Sequence, residues 1–155
     1  MGPMKVAIGS DHRGFHVKEI IKSIVTQLGH EPVDLGTASD HPVDYPDIAY
    51  IGATAVSKKQ VDRAILICAT GIGMCIAANK VPGVRAALCH DDFTAGVSRG
   101  HNDSNVLCIS ADQVGRVVLR KMVETWLTTE FAGGRHERRL NKIVAIEQGK
   151  DPREV

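Results

Sequence analysis

The sequence predicts one three-layer α/β/α domain, Rossmann-like and flavodoxin-like, built around a five-stranded parallel sheet. Three observations predict it. Apolar runs such as Ala64-Ile65-Leu66-Ile67 are continuous, as strands buried on both faces of a parallel sheet require. Strand-like and helix-like patterns alternate along the chain, which implies right-handed crossovers and helices on both faces. A length of 155 residues, 43% of them hydrophobic, suits a single core.

The first strand, Lys5–Ser10, leads into a helix over about Gly14–Leu28. There Val17, Ile20, Ile21, Ile24, Val25 and Leu28 recur at helical spacing, and Gly29 supplies the stop. A strand over Glu31–Leu35 and a helix over Tyr45–Ser57 follow. The third strand, Arg63–Cys68, ends at a glycine-containing loop before a short helix, Ile72–Asn79. Strands at Val84–Cys89 and Asn105–Ser110 each precede a helix, at Asp92–Arg99 and Gln113–Thr128. Gly133-Gly134 then break the chain before a last amphipathic helix, Arg135 to about Gln148, whose apolar stripe is Leu140, Ile143 and Val144. That helix follows a complete doubly wound unit, so its apolar face is expected to pack on a partner subunit, with its own domain as the competing site. The domain is expected to span residues 4–148, with 1–3 a cloning remnant before Met4 and 149–155 a frayed tail.

Nineteen Lys and Arg against eighteen Asp and Glu give a net charge of +1, too balanced for a nucleic-acid or polyanion binder. No apolar run approaches membrane-spanning length, and no signal peptide opens the chain. The spacing of Cys68, Cys75, Cys89 and Cys108 matches no zinc pattern, and a domain of this size needs no disulfide staples. All four are expected to be reduced thiols in a cytoplasmic protein.

In open parallel sheets, ligands bind outside the carboxyl ends of the strands. Two segments meet there. The first strand ends at Asp11-His12-Arg13-Gly14 and the third at Cys68-Ala69-Thr70-Gly71-Ile72-Gly73, so Asp11 and His12 should face Cys68 and Thr70 across one crevice. The glycines let backbone N–H groups approach an anion, and the positive end of the following helix favours both an anion and a thiolate. Each residue also has a plainer reading. Asp11 and Thr70 can cap helices, His12 can be a solvated loop residue, and Cys68 can be a small buried hydrophobe. The pair of glycines alone is a weak signal.

Ser98-Arg99-Gly100-His101-Asn102-Asp103 precedes the fifth strand and so lies at the amino ends, opposite the crevice. It reads either as a helix end and turn, or as a catalytic segment offered to a neighbouring subunit. Arg135 and Arg139, four apart on one helical face, suit two-point phosphate binding, and a solvated basic face is the alternative.

Taken together, Asp11-His12-x-Gly14, Asp44-Tyr45-Pro46, Cys68-x-Thr70-Gly71-x-Gly73, Ile76-Ala77-Ala78-Asn79-Lys80, Gly83-x-Arg85-Ala86, His101-Asn102-Asp103-x-Asn105 and Gly133-Gly134-Arg135-His136 resemble type B ribose-5-phosphate isomerases. The wider group includes galactose-6-phosphate and allose-6-phosphate isomerases. The resemblance covers Met4 to about Gln148 and implies interconversion of ribose 5-phosphate and ribulose 5-phosphate with no metal and no organic cofactor. It implies that Cys68 is the base moving a proton between C2 and C1, with Thr70 and the backbone N–H groups of Ala69, Gly71, Ile72 and Gly73 around the enediolate. His101 would open the sugar ring, Asp11 hold the sugar hydroxyls, and Asn102 contact the sugar. His12, Arg135 and Arg139 would bind the phosphate. The implied partners are a phosphorylated pentose, with a hexose 6-phosphate as runner-up, and a second copy of the chain in a homodimer with shared sites, or a dimer of dimers. Some relatives use a glutamate at the position of Met74, which cannot take a proton, leaving Cys68 the candidate base. Many relatives carry an arginine where Asp112 stands, and a carboxylate there is expected to repel phosphate, leaving Arg135, Arg139 and His12, joined by Arg138. A non-catalytic flavodoxin-like module binding a nucleotide or phosphorylated ligand is the alternative of a different class.

Overall fold

The computed structural model describes residues 2–155 and has the expected three layers. Met1, the first residue of the expected cloning remnant, lies outside the described residues. The elements are β1 (Lys5–Ser10), α1 (Phe15–Gln27), β2 (Glu31–Asp34), α2 (Tyr45–Ser57), β3 (Arg63–Cys68) and α3 (Ile72–Ala78). They continue as β4 (Ala86–Leu88), α4 (Asp92–Gly100), β5 (Val106–Ser110), α5 (Arg116–Thr128) and α6 (Arg135–Glu147). All strand pairings are parallel, in the order β2-β1-β3-β5-β4. The last two strands are thus exchanged relative to the 2-1-3-4-5 order of flavodoxin itself.

Two apolar layers sandwich the sheet. On one face Ile21, Val25, Met122 and Trp126 pack from α1 and α5, and on the other Ala49, Ala53, Met74 and Ala78 pack from α2 and α3. Residues Ala64 to Ile67 of β3 are fully buried between them, which is why that strand reads as an unbroken apolar run.

The shortest strand departs from the expected Val84–Cys89. The N–H groups at its start go to side chains: the Arg85 N–H donates to Asn105 Oδ1 at 2.7 Å, and the Ala86 N–H donates to Asn79 Oδ1 at 2.8 Å. Ala86 is the first residue paired with β5, opposite Val106. α5 starts three residues later than expected, because Ser110 Oγ captures the Gln113 N–H at 3.1 Å and holds the segment as a loop. The tail, expected to fray, instead forms a single 3₁₀ turn over Pro152–Glu154. Lys142 Nζ donates to the carbonyls of Pro152 and Val155, folding the tail back on α6. α6 buries Leu140 and Ala145 within the chain and leaves Ile143, Val144 and Ile146 partly exposed. Among the described residues, no helix is long and apolar enough to cross a membrane.

Candidate active site

β1 and β3 are neighbours, and the chain leaves them toward opposite sides of the sheet, so a crevice opens at their carboxyl ends. A cleft of about 390 Å³ lies there, lined by Asp11, Tyr45, Cys68, Ala69, Thr70, Ile72, Gly73 and Ile76. Six of these were singled out from sequence.

Cys68 closes β3, almost buried at 5% exposure, and its Sγ accepts the Gly71 N–H at 3.2 Å. The turn that allows this demands glycine. Gly71 has φ +77, and a Cβ there would sit 2.7 Å from Leu88 Cδ1 and 3.0 Å from the Ile109 carbonyl carbon. Thr70 Oγ1 accepts the Ile72 N–H at 3.2 Å. Two amides expected to face an anion are therefore turned inward, onto the sulfur and the hydroxyl. Gly73 lets the Tyr45 ring lie against the loop, because a Cβ would meet that ring at 2.6 Å.

Asp11 is cap and cleft residue together. Its carboxylate accepts the N–H groups of Arg13 and Gly14 at 3.0 and 3.2 Å while it lines the cleft. His12 stands beside the cleft, its Nδ1 accepting the Val43 N–H at 3.2 Å. Asp112 is not a bare carboxylate: Arg13 Nη2 lies 2.6 Å from its Oδ2, which corrects the expectation of simple repulsion.

His101, Asn102, Arg135 and Arg139 are gathered elsewhere, at the amino ends of the strands. His101 caps α4, and the Ala132 N–H donates to the Gly100 carbonyl at 2.9 Å, bringing the start of α6 alongside. Around the turn from Ser98 to Ser104 runs a buried polar network. Ser98 Oγ meets Ser104 Oγ at 2.9 Å, Trp126 Nε1 donates to Ser104 Oγ at 2.9 Å, and Arg99 Nη1 donates to the Ser104 carbonyl and to Asp103 at 2.6 and 2.8 Å. A second, larger cavity of about 620 Å³ opens here between α6 and residues 79–87 and includes Asn102. Its lining holds no cysteine or histidine, whereas the smaller cleft holds Cys68.

Sequence reasoning gave no role to Tyr45, His136 or Arg13. Tyr45 was visible inside the Asp44-Tyr45-Pro46 block. His136, whose ring stacks on that of His101, and the Arg13–Asp112 pair depend on contacts that only the folded chain creates.

Other proteins share this architecture. The ribose/galactose isomerase family model matches residues 6–143. Ribose-5-phosphate isomerase B of Escherichia coli is 44% identical over 147 residues, covering 95% of this chain and 99% of that one. Clostridium thermocellum ribose-5-phosphate isomerase B superposes with a TM-score of 0.92 at 46% identity, covering 94% of this chain and 99% of that one. The Mycoplasma genitalium ribose-5-phosphate isomerase B, solved with bound ribulose-5-phosphate, superposes with a TM-score of 0.89 at 43% identity over 93% and 96% of the two chains. The chain therefore belongs to the ribose/galactose isomerase family.

Proposed function

We propose that the protein interconverts ribose 5-phosphate and ribulose 5-phosphate. The observation that carries this reading is the cleft at the β1–β3 switch point, where Cys68, Asp11 and Thr70 converge in a chain with relatives that bear this activity in their names.

In this reading the Cys68 thiolate removes the proton from C2 of the opened sugar. Electrons from the C2–H bond form the C1–C2 double bond and charge O1. The proton of the C2 hydroxyl passes to O1, and the thiol returns its proton to C1 as C2 becomes the carbonyl. Thr70 and the loop amides of residues 69–73 stabilise the developing oxyanion by donating hydrogen bonds to it. For those amides the loop must loosen its inward bonds when substrate arrives. Asp11 holds sugar hydroxyls.

Ring opening needs a second proton-transfer group, His101, which takes the proton of the C1 hydroxyl and donates one to the ring oxygen. Ala64 pairs with Val106 and Cys68 with Ser110, so roughly 13 Å or more of strand separates the amino-end turn from the sulfur. His101 therefore serves the Cys68 of a second copy, in a homodimer whose sites span the interface. Asn102, Arg135 and Arg139 arrive with it, to contact the sugar and the phosphate, and His12 adds to the phosphate site. Ile72 and Ile76, 51% and 59% exposed at the cleft, together with Ile143 and Ile146 of α6, supply apolar surface for that contact.

Purified protein given ribose 5-phosphate in deuterated water should form ribulose 5-phosphate with solvent deuterium incorporated at the carbon that receives the proton. Cys68→Ala should bind the sugar phosphate but exchange no deuterium. Exchange at the wild-type rate in that variant would remove Cys68 as the base, and no ketose from the wild-type protein would overturn the substrate assignment.

A further inference from the structure

The five connections that leave the carboxyl ends of the strands are residues 11–14, 35–44, 69–71, 89–91 and 111–115. Together they contain a single lysine or arginine, Arg13. A phosphate dianion bound at this end of the sheet thus has one permanently charged cation available from these connections.

Arg13 is aimed rather than loose. β3 lies between β1 and β5, so the 2.6 Å bond from Arg13 Nη2 to Asp112 Oδ2 straps the loop after β1 to the loop after β5, across the end of the strand that carries Cys68. Both ends of the strap are anchored to the site. The Arg13 N–H donates to Asp11 Oδ1 at 3.0 Å, and the Asp112 N–H donates to the Ala69 carbonyl at 3.2 Å. Asp11 and Ala69 themselves line the cleft. The Arg13 side chain stays 57% exposed, so the pair adds little stability, and the guanidinium keeps further N–H donors for a second acceptor. A guanidinium held by one carboxylate and open on its other edge is suited to a phosphate oxygen.

We propose that Arg13, oriented by Asp112, binds the phosphate of the substrate within its own subunit and so sets the preference for phosphorylated over free sugars. The proposal rests on reading the site as that of a sugar-phosphate isomerase. Asp112, in this light, is a positioning residue for the cation.

The test combines kinetics with binding of inorganic phosphate, measured by calorimetry on the intact protein. Arg13→Ala should raise KM for ribose 5-phosphate by about tenfold or more with kcat little changed, and weaken phosphate binding in parallel. Asp112→Asn should raise KM in the same direction by less. Adding Asp112→Arg to Arg13→Ala returns a cation to the same edge of the cleft, from the loop after β5, and should lower KM again. An Arg13→Ala protein with wild-type KM and phosphate affinity, or one losing only kcat, would overturn the proposal. Phosphate binding that depends on Arg13 in a wild-type protein that makes no ketose would sink the isomerase reading while leaving this one standing.

Discussion

His101 and His136 stack face to face, with ring centroids 4.1 Å apart and planes 11° from parallel. Burial, and then the positive charges of His101, Arg135 and Arg139, hold the His136 pKa below the usual histidine value of 6.5. The folded chain therefore binds this proton less readily than the unfolded chain. Its contribution to stability is complete above about pH 6.5 and is lost as the pH falls through the lowered value. Melting temperatures measured from pH 7.5 down to 5 should fall more steeply in the wild type than in His136→Phe, which keeps a stacking ring and cannot titrate. Parallel curves would contradict this.

The separation of His101 from Cys68 by the length of the sheet has a kinetic signature. Cys68→Ala and His101→Ala proteins, each inactive alone, should regain activity when mixed and allowed to exchange subunits. In the proposed homodimer, random reassortment makes half of the dimers hybrid, each with one complete site, so recovery should approach about a quarter of wild-type activity. Proven exchange without recovery would place the whole site in one chain.

Asp103 adopts a left-handed backbone, φ +44, and its carboxylate meets both Arg99 and Arg85. Arg99 is only 6% exposed, so removing this acceptor leaves a desolvated guanidinium short of a partner. Asp103→Ala should cost about 1–3 kcal/mol of unfolding free energy in urea titration, the range for a buried charged group losing its bond. An unchanged midpoint would mean that the carbonyl of Ser104 suffices.

Gly71→Ala joins a strained φ to a methyl group 2.7 Å from Leu88. It should lower stability by about 1–3 kcal/mol and isomerase activity much further, because the loop that presents Cys68 must shift. Gly115→Ala, with nothing within 4 Å of the added Cβ, is the matched control. Equal losses in the two variants would show that the loop geometry does not matter.

How far the sequence could be read depended on the range of the physics involved. β1 and β3 lie at the residues expected for them, because burial on both faces writes itself into a contiguous apolar run. Adjacent strand ends are enough to bring Asp11 to Cys68, since the switch-point rule concerns topology and not distant side chains. β4 was overestimated because Val84 and Arg85 look like strand residues, while the side chains that terminate it, Asn79 and Asn105, act from other segments. The exchange of β4 and β5 in the sheet leaves no local trace. Neither does the Arg13–Asp112 strap, whose residues stand 99 positions apart. Asp112 alone looks like a misplaced charge, and only its partner explains it.

Trp126 is the chain's one tryptophan, fully enclosed, with its indole N–H given to Ser104 and its ring facing the Arg63 guanidinium at 5.3 Å. The protein thus carries an optical reporter wired to the segment that offers His101. Its emission will stay blue while the indole stays dry and will redden when that segment loosens. Subunit joining, if it tightens the same segment, can be followed without attaching a dye.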